Sequence, residues 1–370
     1  MDKTLRFTKG HPMAWTSNSL TTVEGSSDAP QHIYQVGRHG ADEVDAALGP
    51  FKKCTFDADL VTRETFVLPT IQSQLARASR DVHEGRGFAI VRGLDPLRYT
   101  AEENLIIFLG IANYIGEQRG VQDKMGSMLS KNGSLKAWHC DMGADVLALH
   151  VRSLPESGGS TFVASSWTIY RELAESYPTV LRALCDANWP IQVSGNPPRY
   201  ILAPLLHVSD DNKILISVDP GRLGLHPATA KIGTEDPVPP LSQQQLEALE
   251  VLSALATKHR FCLDLKLGDI VFINNLSLLH ARDPYVDPAN GPGRHLVRLW
   301  LRNPELAWTI PQAMRTPWEA AFGPDGNGFP GLEKRYPVEP SLVYKPPKYT
   351  AGSAAFVLDD SEDVNANGHI

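Results

Sequence analysis

The sequence predicts a mainly β core with covering helices. Short apolar segments that end at glycine turns recur through the middle of the chain, as in residues 147–152 and 269–274. Only a few segments have the apolar spacing of an amphipathic helix. A P-loop is absent from the sequence, which disfavours a nucleotide-binding α/β fold. These observations favour an all-β core with helices packed on its outside.

Composition and charge limit the class of protein. The chain has 370 residues, of which 42% are hydrophobic, enough to bury a large core. Its net charge of −7 comes without a dense Lys/Arg tract, so neither nucleic acid nor an anionic membrane is an expected partner. No apolar run has the length of a signal core or a membrane span, and we expect a cytoplasmic location. The oligomeric state is not indicated.

The composition along the chain predicts three parts. Residues 1–67 are rich in Ser, Thr, Gly and His and are expected to form an irregular N-terminal covering segment. Residues 68–305 carry the periodic apolar segments and are expected to form the folded domain. Residues 306–370 are a Pro- and Gly-rich C-terminal extension, whose acidic end is expected to be disordered.

Helix and strand signals place the elements in order. A helix is predicted from Ile71 to the glycines at 85 and 87, and capping boxes open further helices at Thr100 and Ser242. The sequence predicts a strand that opens at Thr161, a helical segment over 166–185 that breaks at Pro178, and a hairpin around residues 210–212. Gly268 is expected to form a tight β-turn between two strands. The Pro-rich span 227–240 is a candidate lid.

The stretch Trp138-His-Cys-Asp141 carries the first chemical signal. On a β-strand, His139 and Asp141 point to one face, where both could bind one metal ion. An imidazole and a carboxylate form two thirds of the 2-His-1-carboxylate facial triad of Fe(II) oxygenases. With 12 His and 42 acidic residues in 370, a His-x-Asp/Glu pair occurs about 12 × 42/370, or roughly 1.4 times, by chance. The pair therefore needs support from elsewhere in the chain.

That support comes from two later segments. His280 follows an apolar strand and is the candidate third ligand. A strand over residues 294–302 places Arg294, Arg298 and Arg302 on one face, so that cations line one wall.

Several of these motifs, in this order, resemble the TauD/TfdA-type Fe(II)/2-oxoglutarate-dependent dioxygenases. The motifs are His139-x-Asp141, Gly158-Gly-Ser-Thr161, Gly268-Asp-Ile-Val-Phe, His280 and Arg294, which follows His280 by 14 positions (294 − 280). The resemblance spans roughly residues 68–305. It implies a double-stranded β-helix, a jelly roll like that of the cupins, with the triad at its open mouth.

The resemblance also implies a role for each residue. His139, Asp141 and His280 match the iron ligands. Arg294 matches the arginine that pairs with the distal carboxylate of 2-oxoglutarate, and Thr161 matches the hydroxyl beside it. The cofactor set is then Fe(II), with 2-oxoglutarate and dioxygen as co-substrates. The implied reaction converts 2-oxoglutarate to succinate and CO2 and oxidises an unactivated C–H bond.

Alternatives remain open at this stage. A cupin-like metal-binding protein without turnover has the same fold and triad but no need for Arg294 with Thr161. A halogenase of the superfamily requires a small residue at the position of Asp141. The outcome of the oxidation is also open, because hydroxylation, desaturation and oxidative ring closure begin alike, and sulfonate and aryloxyacetate dioxygenases occur in the family.

For the primary substrate we expect a small molecule with an acidic group, with an amino-acid-like carboxylate preferred. Arg298 is the candidate contact, since it lies on the same strand face as Arg294 and sulfonate-oxidising relatives carry a substrate-binding arginine at that offset. The alternative is that Arg298 pairs with a protein carboxylate in the barrel wall.

Overall fold

The computed structural model describes most of the chain as helices, strands and connecting turns. It describes residues 10–21, 31–53, 57–123, 126–131, 137–193, 200–224, 238–326 and 328–339. The helices are α1 (Ser17–Thr21), α2 (Gly37–Leu48), α3 (Gln72–His83), α4 (Ala101–Ala112), α5 (Ser166–Ser176), α6 (Pro178–Cys185), α7 (Gln243–Lys258) and α8 (Arg315–Phe322). The strands are β1 (Ile33–Gln35), β2 (Phe88–Arg92), β3 (Gln118–Gly120), β4 (Leu129–Lys131), β5 (Val146–Ser153), β6 (Ser157–Gly158), β7 (Thr161–Ser165), β8 (Trp189–Gln192), β9 (Tyr200–Ala203), β10 (Leu206–Val208), β11 (Ile214–Ile216), β12 (Phe261–Leu263), β13 (Ile270–Asn274), β14 (Leu278–Arg282), β15 (Tyr285–Val286) and β16 (His295–Arg302).

The larger sheet forms one wall of the core. Its strand order is β1-β2-β13-β5-β16-β3, and β4 also pairs with β16. Neighbouring strands are antiparallel apart from β1 and β2, which run parallel. Because side chains alternate along a strand, Arg298 and Trp300 of β16 point to one face of this sheet, and Val297 and Leu299 point to the other.

The smaller sheet, β12-β7-β14, forms the opposite wall. On β7, Thr161 pairs with Arg282 and Val163 pairs with His280 of β14. An isolated antiparallel bridge between His139 and His280 attaches the 137–141 segment to this sheet. The interior faces of the two sheets share one hydrophobic cluster, which includes Val163 and Trp300. Two facing, largely antiparallel sheets of this kind make the double-stranded β-helix that the sequence predicted.

Helices α2, α3 and α4 cover the outer face of the larger sheet. Val44, Leu75 and Phe108 from these helices bury against Phe272 and Val297 of the sheet in a second hydrophobic cluster. The prediction of a mainly β core with covering helices is confirmed. None of the described helices has both the length and the apolar character that a membrane crossing requires.

Local signals in the sequence explain several element boundaries. The Thr100 side chain accepts from the Glu103 backbone N–H, and Glu103 accepts from that of Thr100, which forms the predicted capping box of α4. Pro178 is the first residue of α6, where its missing N–H costs no hydrogen bond. The predicted hairpin is β10–β11, with Asn212 at a φ of 62° in its turn.

One prediction in these regions is confirmed and another is wrong. The predicted tight turn at Gly268 is present between two strands, with the Asp269 N–H donating to the Lys266 carbonyl at 3.1 Å and Gly268 at a φ of 85°. These strands do not pair with each other, because β12 pairs with β7 in the smaller sheet, whereas β13 pairs with β2 and β5 in the larger one. The first 67 residues are not irregular throughout, because they contain α2 and β1, and β1 completes the larger sheet through the parallel pairing of Tyr34 with Val91.

Two other predicted segments are only partly described. Of the proposed lid at 227–240, residues 227–237 lie outside the described residues. The acidic end at 359–368 lies outside them too, whereas residues 315–322 of the C-terminal extension form α8.

Candidate active site

The His139–His280 bridge brings the first two predicted ligands together. The backbone N–H of His139 donates to the carbonyl of His280 at 3.0 Å, and the reverse bond measures 2.8 Å. The paired residues of an antiparallel bridge point to the same side, so the imidazoles become neighbours with ring centroids 4.1 Å apart. Both side chains are buried, with 7% of His139 and 4% of His280 exposed.

Asp141 joins the two histidines, but not on a strand as the sequence predicted. The chain leaves the bridge after His139 and turns, with the Ala144 N–H donating to the Asp141 carbonyl at 3.2 Å. Asn275 fixes this turn, because its side chain accepts from the Asp141 N–H at 2.8 Å and donates to the Asp141 and Ala144 carbonyls. Cys140 points away into the core, as predicted, where it is 1% exposed.

The three side chains converge on one point. Asp141 Oδ1 lies 3.8 Å from His139 Nε2 and 3.9 Å from His280 Nε2. One potential ligand atom from each residue lies within 4.8 Å of the others, and all three residues are buried. The predicted triad is therefore assembled in space, with room for one cation between its atoms.

The protonation states of the triad suit a divalent metal. Burial, helped by the neighbouring His139, lowers the pKa of His280 to about 3, so its imidazole is neutral at neutral pH. Burial acts to raise the pKa of the Asp141 carboxyl, but Arg298 and the two imidazoles outweigh it and hold the pKa at about 2. His139 Nδ1 lies 2.9 Å from the Ala137 carbonyl, an acceptor that keeps the proton on Nδ1 and leaves the Nε2 lone pair toward Asp141.

The ring nitrogens of His280 give the strongest indication that this site binds a ligand. Neither of its ring nitrogens has a hydrogen-bond partner within the described chain, although both are buried. Buried polar atoms are normally paired, so an orphaned lone pair beside an ionised carboxylate fits a metal ligand. Two imidazole nitrogens and one carboxylate oxygen also form the donor set that non-haem Fe(II) uses.

Arg294 and Thr161, the predicted 2-oxoglutarate residues, line one cavity of about 270 Å³. Arg294 is 4% exposed, and no oxygen atom of the described chain accepts from its guanidinium. Burial, followed by the nearby Arg282, lowers the pKa of Arg294 to about 10, which leaves it charged at neutral pH. Thr161 is 5% exposed and lies two residues along β7 from Val163, the partner of His280.

Glycines shape the wall of this cavity. Gly158 and Gly159 have φ angles of 71° and 74°, a left-handed conformation that other residues rarely adopt. A Cβ atom on Gly159 would lie 3.2 Å from the Arg294 Cδ, so a larger residue would press on the arginine. The Gly-Gly pair thus lets the chain pass closely beside Arg294.

Arg298 pairs with a protein carboxylate, which was the alternative that the sequence left open. Its Nη1 donates to Asp141 Oδ2 at 3.1 Å, and its Nε donates to Gln122 Oε1 and Ser130 Oγ, both at 3.0 Å. Trp300 Nε1 donates to the same Asp141 oxygen at 2.8 Å. A contact between Arg298 and substrate therefore has to use Nη2, from which no described residue accepts.

Sequence reasoning missed two further arginines near the site. Arg282 lies two residues after His280 on β14, opposite Thr161, and is 7% exposed. Arg222 is fully buried beside Asp219, with 3.6 Å between its Nε and the carboxylate, and it interacts electrostatically with Asp141. The alternation of side chains along β14 could have indicated that Arg282 shares a face with His280, although not that it lies opposite Thr161. Apolar periodicity could not have indicated Arg222, because this residue ends a short 3-10 helix, Pro220–Arg222.

The fold and this site together define a class of protein. The family model of the taurine catabolism dioxygenases TauD and TfdA matches residues 50–300. The chain belongs to this family, and it is a non-haem iron, 2-oxoglutarate-dependent oxygenase.

Individual relatives are similar over most of the chain. The taurine hydroxylase-like protein SAT17 of Stachybotrys chartarum is 32% identical over 342 residues, which cover 85% of this chain and 84% of SAT17. A solved asparagine oxygenase, in complex with Fe(II), 3-hydroxyasparagine and succinate, superposes with a TM-score of 0.57 at 17% identity, covering 73% of this chain and 93% of the oxygenase. The oxygenase OrfP, in complex with Fe and alpha-ketoglutaric acid, gives 0.53 at 15% identity, with coverage of 73% and 93%. The two solved structures confirm the fold.

Proposed function

We propose that His139, Asp141 and His280 hold one Fe(II) ion. The observation that carries the proposal is the convergence of three buried donors, with Asp141 Oδ1 3.8 and 3.9 Å from the two Nε2 atoms. The ionised carboxylate and the unpartnered His280 ring support it further, because a divalent cation would satisfy both groups at once.

Arg294 and Thr161 are proposed to bind the distal carboxylate of 2-oxoglutarate. A buried guanidinium without a protein acceptor is costly, and a carboxylate that accepts two parallel N–H bonds would remove that cost. Thr161 lines the same cavity and offers a hydroxyl donor. Arg282 beside them adds a second positive charge, which favours a dianionic co-substrate over a neutral one.

The chain's own residues then bind, orient and shield the reactants. Fe(II), when bound, supplies the activation of dioxygen that couples oxidative decarboxylation of 2-oxoglutarate to oxidation of a C–H bond. Arg294 would hold the distal carboxylate of 2-oxoglutarate and leave its 2-oxo acid end to bind Fe(II) at the triad. The apolar interior, with Val163 and Leu296 fully or almost fully buried, keeps water from the reacting centre.

The proposed substrate is a small molecule with an acidic group, with an amino-acid-like carboxylate preferred. Arg298, through Nη2, and Arg222 are the two cations near Asp141 that could receive this group. The likeness to a taurine hydroxylase-like protein and to an asparagine oxygenase fold supports an amine-bearing acid of this size. Desaturation or ring closure of such a substrate, and a sulfonate or aryloxyacetate as substrate, are the alternatives.

Succinate release tests the proposal directly. The full chain, loaded anaerobically with Fe(II), is mixed with 2-oxoglutarate and air in the presence of amino acids, small carboxylates and sulfonates. We expect succinate above background with an acidic substrate, and a product that has gained one oxygen atom or lost two hydrogens. His280→Ala should abolish the signal, whereas His39→Ala, at an exposed histidine of α2, should keep it. Iron binding without succinate formation under any condition would favour a noncatalytic, cupin-like protein.

A further inference from the structure

We propose that Arg298 and Trp300 are positioning residues that make Asp141 a metal ligand through one oxygen only. They hold Oδ2 of the carboxylate and thereby direct Oδ1 toward His139 and His280. The inference rests on the proposed metal site and goes beyond it, because it assigns separate roles to the two oxygens of one carboxylate and to two residues that do not contact the metal.

The two carboxylate oxygens have different surroundings. Oδ2 accepts a bond of 3.1 Å from Arg298 Nη1 and one of 2.8 Å from Trp300 Nε1. Oδ1 faces the imidazoles, at 3.8 and 3.9 Å from their Nε2 atoms. Oδ2 thus accepts two hydrogen bonds and Oδ1 accepts none from the described residues, which is the arrangement expected when Oδ1 is reserved for a cation.

The strand geometry explains why both donors reach the same atom. Arg298 and Trp300 are two residues apart on β16, so their side chains leave the same face of the larger sheet. Trp300 is fully buried and Asp141 is 1% exposed, which strengthens these bonds by excluding water.

Arg298 is itself held in place. Its Nε donates to Gln122 Oε1 and to Ser130 Oγ, and the Ser130 hydroxyl donates to Gln122 Oε1 at 2.7 Å. Gln122 in turn donates to the backbone carbonyls of Met128 and Arg298. Gln122, Ser130 of β4 and Asp141 therefore fix Nε and Nη1 of the guanidinium, and only Nη2 is available to a substrate within the described chain.

The consequence concerns the number of open positions on the metal. A carboxylate that bound through both oxygens would occupy one more coordination position than a single-oxygen ligand. That position is one that 2-oxoglutarate or dioxygen requires in a facial triad. Turning Oδ2 toward the metal would break two buried hydrogen bonds, one of them charge-assisted, so the present arrangement favours single-oxygen binding.

Co(II) binding to the full chain tests this assignment without relying on activity. Co(II) is a suitable probe because its visible absorption depends on the number and geometry of its ligands. The variants are Arg298→Met, which removes the charge, and Trp300→Phe, which removes only the indole N–H and keeps a ring in the core.

Matched controls are available on other strands. Arg92→Met breaks another buried ion pair, with Asp269, in which the side-chain exposures are 12% and 1%, as they are for Arg298 and Asp141. Trp189→Phe removes the N–H of a tryptophan that is as fully buried as Trp300 and that donates to a backbone carbonyl away from the triad.

We expect Arg298→Met and Trp300→Phe to weaken Co(II) binding by about 10-fold to 100-fold and to change the Co(II) spectrum before any co-substrate is added. The two control variants should bind Co(II) with wild-type affinity and spectrum, whatever their stability. Trp300→Phe keeps the test decisive if Arg298→Met fails to fold.

Three outcomes would overturn the inference. If both variants keep wild-type affinity and spectrum while His280→Ala loses Co(II), the metal site stands and the positioning role is wrong. If Arg298→Met changes only the KM of the primary substrate, Arg298 is a substrate contact. If the wild-type chain binds no Co(II), the proposed metal site itself fails, and the inference fails with it.

Discussion

Two arginines of one chain segment, the partly buried Arg298 and the buried Arg294, have opposite surroundings. The protein supplies three acceptors to Arg298, namely Asp141 Oδ2, Gln122 Oε1 and Ser130 Oγ. No oxygen atom of the described chain accepts from the guanidinium of Arg294, which is only 4% exposed and lies against the Tyr285 ring. A protein carboxylate pairs with the guanidinium of Arg298, whereas none in the described chain accepts a hydrogen bond from that of Arg294.

The difference in hydrogen-bond partners indicates a different role for each arginine. A buried charge with protein partners contributes to structure, because removing either partner leaves the other uncompensated. A buried charge without partners is a cost to the free protein, and that cost is removed when an anion binds. We therefore interpret Arg298 as part of the metal centre and Arg294 as the receptor of a carboxylate.

The largest expected effect is on 2-oxoglutarate binding. Arg294→Met should weaken it by about two to four orders of magnitude, corresponding to roughly 3 to 5 kcal/mol for a broken buried ion pair. An anaerobic titration of the metal-loaded protein measures the change. Arg38→Met, at an exposed arginine of α2, is the control and should bind normally. Near-normal binding by Arg294→Met would mean that another cation, such as Arg282, holds the carboxylate.

The free energy of unfolding of the ligand-free protein should respond differently to substitution of Arg298 and of Arg294. Arg298→Met leaves the Asp141 carboxylate without its cation and should lower the free energy of unfolding by about 3 to 5 kcal/mol. Arg294→Met removes an uncompensated buried charge and should leave that free energy unchanged or higher. Urea unfolding of the metal-free variants gives both values. Equal losses in the two variants would contradict the comparison.

Asp145 extends the comparison to carboxylates and predicts a pH effect. Burial raises its pKa to about 6, against the opposing effects of the Trp318 N–H and of Arg302, whose Nε lies 3.8 Å away. The folded state thus binds more protons than the unfolded state between about pH 4 and pH 6, and stability falls as the pH rises through this window.

Asp145→Asn should remove this slope, which amounts to roughly 2 to 3 kcal/mol. The measurement is urea unfolding of wild type and variant from pH 4 to pH 8. If the difference between their stabilities does not change across the window, Asp145 does not titrate as the structure indicates.

The smallest effect is expected at Thr161. Thr161→Val removes one hydroxyl donor while Arg294 still neutralises the carboxylate, so 2-oxoglutarate binding should weaken by about 1.5 kcal/mol, roughly tenfold. Thr161→Ser keeps the hydroxyl and should restore most of the affinity in the same titration. Equal binding by the valine and serine variants would show that the hydroxyl does not contact 2-oxoglutarate.

The sequence was most informative about site residues whose type and order along the chain indicate their chemistry. His139, Asp141 and His280 were identified by type and order, and the structure brings them together. Arg294 and Thr161 were likewise found in one cavity, although their roles remain proposals. The covering helices were predictable because capping and apolar spacing are local properties.

The missed features depend on which strands pair. The turn at Gly268 was predicted from local residues, but the sequence did not indicate that the strands on either side of it, β12 and β13, pair with other strands and not with each other. Arg282 lies opposite Thr161 because of the register between β7 and β14, and Asn275 reaches Asp141 across 134 positions. No local pattern records such contacts.

The central claim is that one metal ion is held by His139, Asp141 and His280. Anaerobic Fe(II) titration of wild type, His280→Ala and His39→Ala tests it most directly, since both variants lose one imidazole but only one loses a triad member. We expect one tightly bound Fe(II) per chain in wild type and in His39→Ala, and loss of tight binding in His280→Ala. Tight stoichiometric binding by His280→Ala, with its secondary structure intact, would contradict the assignment.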